Sequence, residues 1–201
     1  MLVGAEERMV LEPVRVSFIK HAWDFYRPIG WHNNDAVIDV DVATGQYEQA
    51  LMWCQEQYCK QLGTHDLLQQ YHYVLFHNNA PYHSKRNLRL MCDSMYGKLS
   101  REQHEELFNQ HAAQGVRIAA ENATTYTCPL YASMISLAAT VQEGLVGSRV
   151  LCFSYGSGCA ASMYGIQVKQ LPTYPMDVFK QLRSRIVLTV DRTLQLVQGF
   201  E

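Results

Sequence analysis

The most constraining feature of the sequence is a pair of strand-like segments separated by Gly156-Ser157-Gly158. Residues 148–155 (SRVLCFSY) are rich in β-branched and aromatic residues and predict one strand, and ASMYGIQVKQ predicts a second. Glycines on both sides of a serine suit a tight turn or bulge between strands. They would also let backbone N–H groups approach a ligand closely. On the tripeptide alone, the turn or bulge is the favoured interpretation.

The rest of the chain alternates between helical and strand-like patterns. Apolar residues at helical spacing, or a capping sequence, predict helices over residues 46–62, 84–96, 100–115 and 128–144, with two short helices after Pro175. Strands are predicted over residues 71–76 (YHYVLF) and 37–42 (VIDVDV), and a turn region over 27–35 (RPIGWHNND). The alternation predicts a layered α/β fold in one domain spanning residues 1–201.

Charge and composition exclude several classes of protein. The net charge of −2 leaves no basic surplus for binding nucleic-acid phosphates. No apolar run reaches the roughly 20 residues that cross a bilayer, and the start of the chain does not have the pattern of a secretory signal. We therefore expect a cytoplasmic protein. The cysteines form neither a CxxC pair nor a zinc pattern, which predicts free thiols, mostly buried, and no metal site. They are Cys54, Cys59, Cys92, Cys128, Cys152 and Cys159.

His77 is the first candidate for chemistry. It follows the strand predicted over 71–76 and opens a loop, at the kind of strand end where sites gather in α/β proteins. Histidine can act as a general acid or base near neutral pH. The alternative is a hydrogen-bonded structural histidine, because the chain has eight histidines. His72 and His83 are rivals for the same role.

Three further residues could contribute to a site. Cys128 precedes a predicted helix whose dipole would favour a thiolate, although a small residue at a helix start is the favoured interpretation. Glu121 is the acid nearest to it in the sequence. Lys85 and Arg86 follow the His77 loop, where they could bind the phosphates of a nucleotide-like ligand or simply lie in solvent at a helix start.

Taken together, five segments resemble one family. In chain order they are KHAWDFYRP (20–28), VLFHNNAPYHSK (74–85), TTYTCPLYASMISL (124–137), RVLCFSYGSGCAASMYGIQV (149–168) and FKQLRSR (179–185). They are similar to the H-x-YDFYKP, IFH-x-PY-x-K, N-x-YT-x-S-x-Y-x-SL, RV-x-x-FSYGSG-x-AA and L-x-SR segments of 3-hydroxy-3-methylglutaryl-CoA (HMG-CoA) synthases. Related synthases that install β-branches on polyketides share the pattern.

The resemblance implies a fold and a reaction. The fold would be the C-terminal half of a thiolase-like layered α/β/α structure. The reaction would be the condensation of acetyl-CoA with acetoacetyl-CoA to HMG-CoA, with coenzyme A thioesters as substrates and no cofactor. The family's nucleophilic cysteine and its glutamate belong to an N-terminal half that this chain lacks. The resemblance therefore implies that the chain alone is inactive, and that the missing half or a homodimer partner completes it.

The family's site residues are carried over only where the motifs match. His77 is the catalytic position, and the implied substrate-binding positions are Tyr155, Gly156, Ser157, Lys85, Thr124 and Asn122. The chain departs from the pattern in two places. Residues 78–80 contain two more residues than the family has between FH and PY. Thr124 replaces the family's asparagine, and nearby Asn122 could compensate for it.

These departures keep other functions open. The chain could be part of a complete acyltransferase or a thiolase-like binding or scaffold module without catalysis. It could be a fragment of a polyketide β-branching synthase. A stand-alone enzyme that uses Cys128 as nucleophile is the least favoured alternative, because Cys128 occupies a serine position of the family pattern.

Overall fold

The computed structural model describes residues 7–28, 36–77, 80–122, 126–171 and 177–198. The strands are β1 (Met9–Ile19), β2 (Phe25–Tyr26), β3 (Val37–Ile38), β4 (Tyr73–Phe76), β5 (Arg149–Gly156) and β6 (Ala160–Val168). The helices are α1 (Val40–Leu62), α2 (Leu67–Gln70), α3 (Pro81–Tyr96), α4 (Arg101–His111), α5 (Arg117–Glu121), α6 (Pro129–Val141), α7 (Val178–Arg183) and α8 (Val190–Gln198). Short 3₁₀ turns follow α4 and α6.

Four strands form the main sheet in the order β1-β6-β5-β4. β4 is parallel to β5, with Phe76 opposite Phe153, while β6 is antiparallel to both β5 and β1. β5 and β6 are joined directly through Gly156-Ser157-Gly158, so the predicted turn between two strands is confirmed. β2 and β3 form a separate two-residue ribbon.

Helices cover both faces of the sheet, which confirms the predicted α/β/α layering. On one face, α1 packs against β1 and β6, and α3 packs against β4. Their shared core includes Leu51, Tyr58 and Met91 from the helices and Phe76 and Phe153 from the sheet, all at most 1% exposed. On the other face, α6 packs over β4 and β5 through a second apolar core.

Hydrogen bonds at the starts of α4 and α1 explain one predicted boundary that is confirmed and one that is wrong. The SREQ capping box is present: the Ser100 hydroxyl accepts from the Gln103 N–H, and the Gln103 side chain accepts from the Ser100 N–H. The prediction of a strand over residues 37–42 is wrong beyond Ile38. The Asp39 carboxylate accepts from the Val42 N–H and caps α1, so the alternating pattern continues as the first helical turn.

The sequence patterns did not predict β1, although it is the longest strand. Its face towards α1 carries Val14, Val16 and Phe18, while a bulge interrupts its pairing with β6 between Leu11 and Arg15. Pro13 and Arg15 lie in this stretch and obscure the alternation that marks a strand. Of the predicted turn region 27–35, residues 29–35 lie outside the described residues.

A polar network fixes the bulged part of β1 to the sheet. Arg149 donates from Nε and Nη2 to the Glu12 carboxylate, at 2.6 and 2.8 Å, and the Tyr71 hydroxyl donates to the same carboxylate at 2.6 Å. The hydroxyls of Tyr71 and Tyr58 are 2.7 Å apart. Burial acts to raise the pKa of Glu12, but the hydrogen bonds from Arg149 and Tyr71 outweigh it and lower that pKa.

All six cysteines are free thiols, as predicted, and four of them are buried. Burial raises the pKa of Cys54 and of Cys92 to about 12, which leaves these thiols protonated and unreactive. Cys128 is the exposed exception. No helix within the described ranges is long and apolar enough to span a membrane.

Candidate active site

The end of β4 and the β5–β6 turn lie side by side, because β4 and β5 are parallel neighbours. The His77 backbone N–H donates to the Phe153 carbonyl at 2.8 Å and extends the β4–β5 ladder by one residue. Two residues beyond Phe153, the chain reaches Tyr155 and then Gly156-Ser157. The fold therefore brings together His77 and the Tyr155-Gly156-Ser157 segment, which are far apart in the sequence.

A hydrogen bond from α1 also holds the backbone at His77. The Tyr47 hydroxyl donates to the His77 carbonyl at 2.8 Å and accepts from the Asn87 amide at 3.1 Å. The Tyr47 ring also packs on Phe153 and Tyr155, with centroids 5.3 and 4.7 Å away. His77 is therefore a partly buried side chain on a backbone that hydrogen bonds fix on both sides.

Burial lowers the pKa of His77 below the usual value of a histidine. The imidazole is then neutral at neutral pH, with one nitrogen that can accept a proton and one that can donate a hydrogen bond. Such a group can polarise a carbonyl or move a proton. The catalytic role of His77 stays a prediction.

Asp24 fixes the β5–β6 turn. Its fully buried carboxylate accepts from the Tyr155 hydroxyl at 2.9 Å and from the Gly158 N–H at 2.8 Å. The Gly158 carbonyl accepts from the Ala22 N–H at 2.8 Å, and Gly158 has φ +121°, a conformation that favours glycine. Gly156 and Ser157 remain exposed at the tip of the turn. The turn is therefore a rigid, accessible piece of backbone beside His77.

The sequence patterns predicted His77 and the turn, but not the residues that hold them. The holding hydrogen bonds come from Asp24, Tyr47 and Asn87. A signal for Asp24 was available, since it is the Asp of the DFY segment that resembles the family. Tyr47 and Asn87 belong to helices, where a tyrosine or an asparagine is not by itself a sign of a site.

The two rival histidines occupy different places. His72 precedes β4, so it lies at the opposite end of that strand from His77, and its Nδ1 accepts from the Arg149 N–H at 3.2 Å. His83 is in the first turn of α3, with its ring centroid 4.0 Å from that of Tyr82. Burial, followed by the charge of Arg86, lowers the pKa of His83. Of the three, His77 is the one joined directly to β5 next to the turn.

Lys85 and Arg86, near the start of α3, are paired with acids on other helices. Lys85 forms an ion pair with Glu105 of α4, and its ammonium lies 5.7 Å from the Phe108 ring centroid. Arg86 forms an ion pair with Glu48 of α1. Both cations are partly exposed, so a phosphate would have to compete with these carboxylates. The role of Lys85 in binding a substrate stays a prediction.

The other predicted positions precede α6 in the sequence. Asn122 is exposed directly after α5, while Thr124 lies outside the described residues. Cys128 is exposed at the residue before α6. Glu121 is 4.0 Å from Arg183, an interaction with the C-terminal segment. Among the residues with described positions, no group of three or more His, Cys, Asp or Glu could hold a metal ion.

Comparisons with known proteins show which family the chain is similar to. Residues 87–198 match the family model "Hydroxymethylglutaryl-coenzyme A synthase C terminal". The chain is similar to hydroxymethylglutaryl-CoA synthase 2 of Blattella germanica, with 26% identity over 209 residues that cover 84% of this chain and 45% of that protein. The chain thus spans about half the length of the curated relatives it matches.

Solved structures show the same fold. PksG, an HMG-CoA synthase from Bacillus subtilis, matches with a TM-score of 0.82 and 20% identity, over 98% of this chain and 48% of PksG. MvaS in complex with HMG-CoA matches with a TM-score of 0.78 and 19% identity, over 94% of this chain and 50% of MvaS. The fold is therefore the thiolase-like half predicted from the motifs. Through the family model that matches more than half of its residues, the chain belongs to the HMG-CoA synthase family.

Proposed function

We propose that the chain provides the C-terminal half of an HMG-CoA synthase. Such an acyltransferase condenses acetyl-CoA with acetoacetyl-CoA, a reaction of the mevalonate route to isoprenoids. The supporting observation is a partly buried His77 with a lowered pKa, fixed beside the exposed Gly156-Ser157 turn. Of the similar structures, MvaS was solved with the product thioester HMG-CoA.

The geometry supports a division of roles. The neutral imidazole of His77 polarises the acetoacetyl ketone and moves a proton as the new carbon–carbon bond forms. The backbone of Gly156 and Ser157, held by Asp24, contacts the thioester acyl group. Tyr155, Lys85, Asn122 and Thr124 are the further substrate-binding positions. The nucleophilic cysteine and its glutamate come from a second half, as the family resemblance implies. Burial raises the pKa of Cys54, Cys92, Cys152 and Cys159, which disfavours these four thiols as nucleophiles.

The test follows the loss of acetoacetyl-CoA absorbance after acetyl-CoA is added. The 201-residue chain alone should show no turnover above an enzyme-free control. Turnover by the chain alone would contradict the proposal, and Cys128→Ala would then show whether that exposed thiol is the nucleophile.

Turnover is expected from a chimera in which this chain replaces the matching C-terminal part of the Blattella germanica relative. In that chimera, His77→Ala should lower turnover by roughly 10²-fold or more, because a positioned acid–base group is lost. His65→Ala is the control, since His65 is exposed on another loop. Equal rates for the two variants would show that His77 does not act in the reaction.

A binding module without catalysis is a second candidate, and one observation favours it. Lys85, the lysine proposed to bind near the CoA arm, is engaged by Glu105. This candidate predicts an inactive chimera, with weak or undetectable binding of acetoacetyl-CoA by calorimetry. Glu105→Gln would release Lys85 and should then strengthen binding of CoA esters, whereas an unchanged affinity would argue against Lys85 as a phosphate ligand.

A further inference from the structure

Tyr47 of α1 contacts both parts of the candidate site. Its hydroxyl donates to the His77 carbonyl at 2.8 Å, and its ring centroid lies 4.7 Å from that of Tyr155, which leads into the β5–β6 turn. Phe153 adds a third contact, because it accepts the His77 N–H and its ring centroid lies 5.3 Å from that of Tyr47. The separation between His77 and the turn therefore depends on the position of this one side chain.

Asn87 of α3 fixes the direction of the Tyr47 hydroxyl. The Asn87 side chain is 4% exposed, and its amide donates to the Tyr47 oxygen at 3.1 Å. The proton of that hydroxyl then points to its second partner, the His77 carbonyl. Burial raises the pKa of Tyr47 far above its usual value, so the hydroxyl keeps the proton that it donates. The two hydrogen bonds therefore run in one direction, from α3 through α1 to His77.

Further contacts hold α3 against α1 on both sides of this hydrogen bond in the sequence. Arg86 of α3 forms an ion pair with Glu48 of α1. The buried Gln55 amide of α1 donates to the Met91 carbonyl of α3 at 3.2 Å. The hydrogen bond between the two helices is therefore made by groups whose own positions are fixed. Groups supported in this way can keep a reacting side chain in one place.

We infer that Tyr47 is a positioning residue for the reaction and that Asn87 sets the direction of its hydrogen bond. The Tyr47 hydroxyl bonds to the backbone of His77 and not to the imidazole, so it determines where the ring lies without itself moving a proton. A displacement of about 1 Å at a reacting group can lower a rate by roughly 10²-fold. The inference rests on the proposed function, because it assumes that His77 acts on the acetoacetyl ketone.

Two substitutions remove the same hydrogen bond in different ways. Tyr47→Phe deletes the hydroxyl and keeps the ring. Asn87→Asp replaces a donor by a carboxylate, which at neutral pH only accepts and therefore draws the Tyr47 proton away from the His77 carbonyl. Both variants leave that carbonyl without its donor. Tyr164→Phe is the matched control, because Tyr164 packs against the second apolar core, on the opposite face of the sheet.

The first readout is amide hydrogen exchange, followed by NMR on the 201-residue chain at neutral pH. It compares the His77 N–H, bonded to Phe153 after β4, with the His72 N–H, which donates to the Arg149 carbonyl at 2.9 Å before the same strand. The ratio of the His77 rate to the His72 rate should rise about tenfold or more in both variants, because only the end of β4 opens. General destabilisation would accelerate both amides and leave the ratio unchanged. Tyr164→Phe should keep the wild-type ratio.

The second readout is the kinetics of the chimera with the Blattella germanica relative. Tyr47→Phe and Asn87→Asp should each lower kcat about tenfold or more and leave the KM for acetoacetyl-CoA within about twofold, as for a change that affects the reaction step and not binding. The double variant should be no slower than Tyr47→Phe alone, because both substitutions act through one hydrogen bond. Tyr164→Phe should keep the wild-type kcat.

Three results would overturn the inference. They are an unchanged ratio of exchange rates in Tyr47→Phe, an Asn87→Asp variant that behaves like the control, and a Tyr47→Phe chimera with a raised KM and the wild-type kcat. The exchange measurement needs no turnover. An inactive chimera whose exchange ratio still rises in both variants would therefore support the positioning of His77 by Tyr47 while contradicting the proposed function.

Discussion

At the scale of single residues, Asp24 stands out because one buried carboxylate serves two donors. The Tyr155 hydroxyl and the Gly158 N–H both donate to it, and both belong to the β5–β6 turn. Burial, and then the hydrogen bond to Asp24, raises the pKa of Tyr155, so its hydroxyl remains a donor throughout the physiological range. The position of the turn beside His77 therefore depends on one side chain 134 residues away in the sequence.

Asp24→Asn is predicted to destabilise the protein. The amide keeps the shape of the carboxylate but has one acceptor oxygen, so its NH₂ group faces a donor and one buried hydrogen bond is lost. The expected loss is about 2 kcal/mol in the free energy of unfolding, measured by urea denaturation. Asp191→Asn, on the exposed first turn of α8, is the control and should change stability little. Similar effects of the two substitutions would show that Asp24 does not hold the turn.

At the scale of elements, Gly165 allows β1 to join the sheet. A Cβ atom built on Gly165 would lie 2.6 Å from the Tyr71 hydroxyl and would clash with the Glu12 carboxylate. These groups cannot move aside freely, because Arg149 and Tyr58 hold them by further hydrogen bonds. A glycine in the middle of β6 is therefore required by the polar network that crosses it.

Gly165→Ala is expected to lower the free energy of unfolding by about 1–3 kcal/mol, the usual range for overpacking a buried site. The matched control is Gly45→Ala in α1, where a new Cβ would have no atom within 4 Å. That control should stabilise the protein by about 0.5–1 kcal/mol, because alanine favours the helix more than glycine does. Equal changes in the thermal melting temperature for both variants would contradict this account of Gly165.

The accuracy of prediction from the sequence also depends on which forces act at each element. Segments with strong local signals, such as β5, β6 and the capped helix α4, were predicted to within a few residues. VIDVDV failed because one local hydrogen bond, from the Val42 N–H to Asp39, favoured helix over alternation. β1 was missed because long-range contacts of Glu12 stabilise its bulge. The same reason applies to the site, where the supporting contacts of Asp24 and Tyr47 connect distant segments.

At the scale of the whole molecule, buried histidines make stability depend on pH. His111 is 6% exposed, and it donates from Nδ1 to the His72 carbonyl at 3.0 Å. Burial lowers the pKa of His111, as it does for His77. In the unfolded chain these histidines bind a proton near pH 6.5, whereas in the fold they bind it at lower pH. The unfolded state therefore holds more protons in this window, and stability falls as pH is lowered through it.

The expected slope is up to about 1.4 kcal/mol per pH unit for each such histidine, beginning near pH 6.5. The fold also lowers the pKa values of Glu12 and Asp93. The stability that these two carboxylates contribute should be lost only in more acidic solution, near pH 4 and below. Urea midpoints measured from about pH 7.5 to about pH 5.5 test this window. His111→Asn should give a shallower slope, and the exposed His65→Asn should keep the wild-type slope. A flat wild-type profile would show that the buried histidines do not control acid stability.

The β1 bulge also affects how the protein behaves in a crowded solution. β1 is an outer strand of the sheet and has eleven residues, long enough to pair with a strand of another molecule and start a growing β-aggregate. The irregular stretch between Leu11 and Arg15 divides that edge into two short runs, and Pro13 removes one backbone donor within it. The feature that hides this strand from sequence patterns thus also protects the protein against open-ended association through its edge.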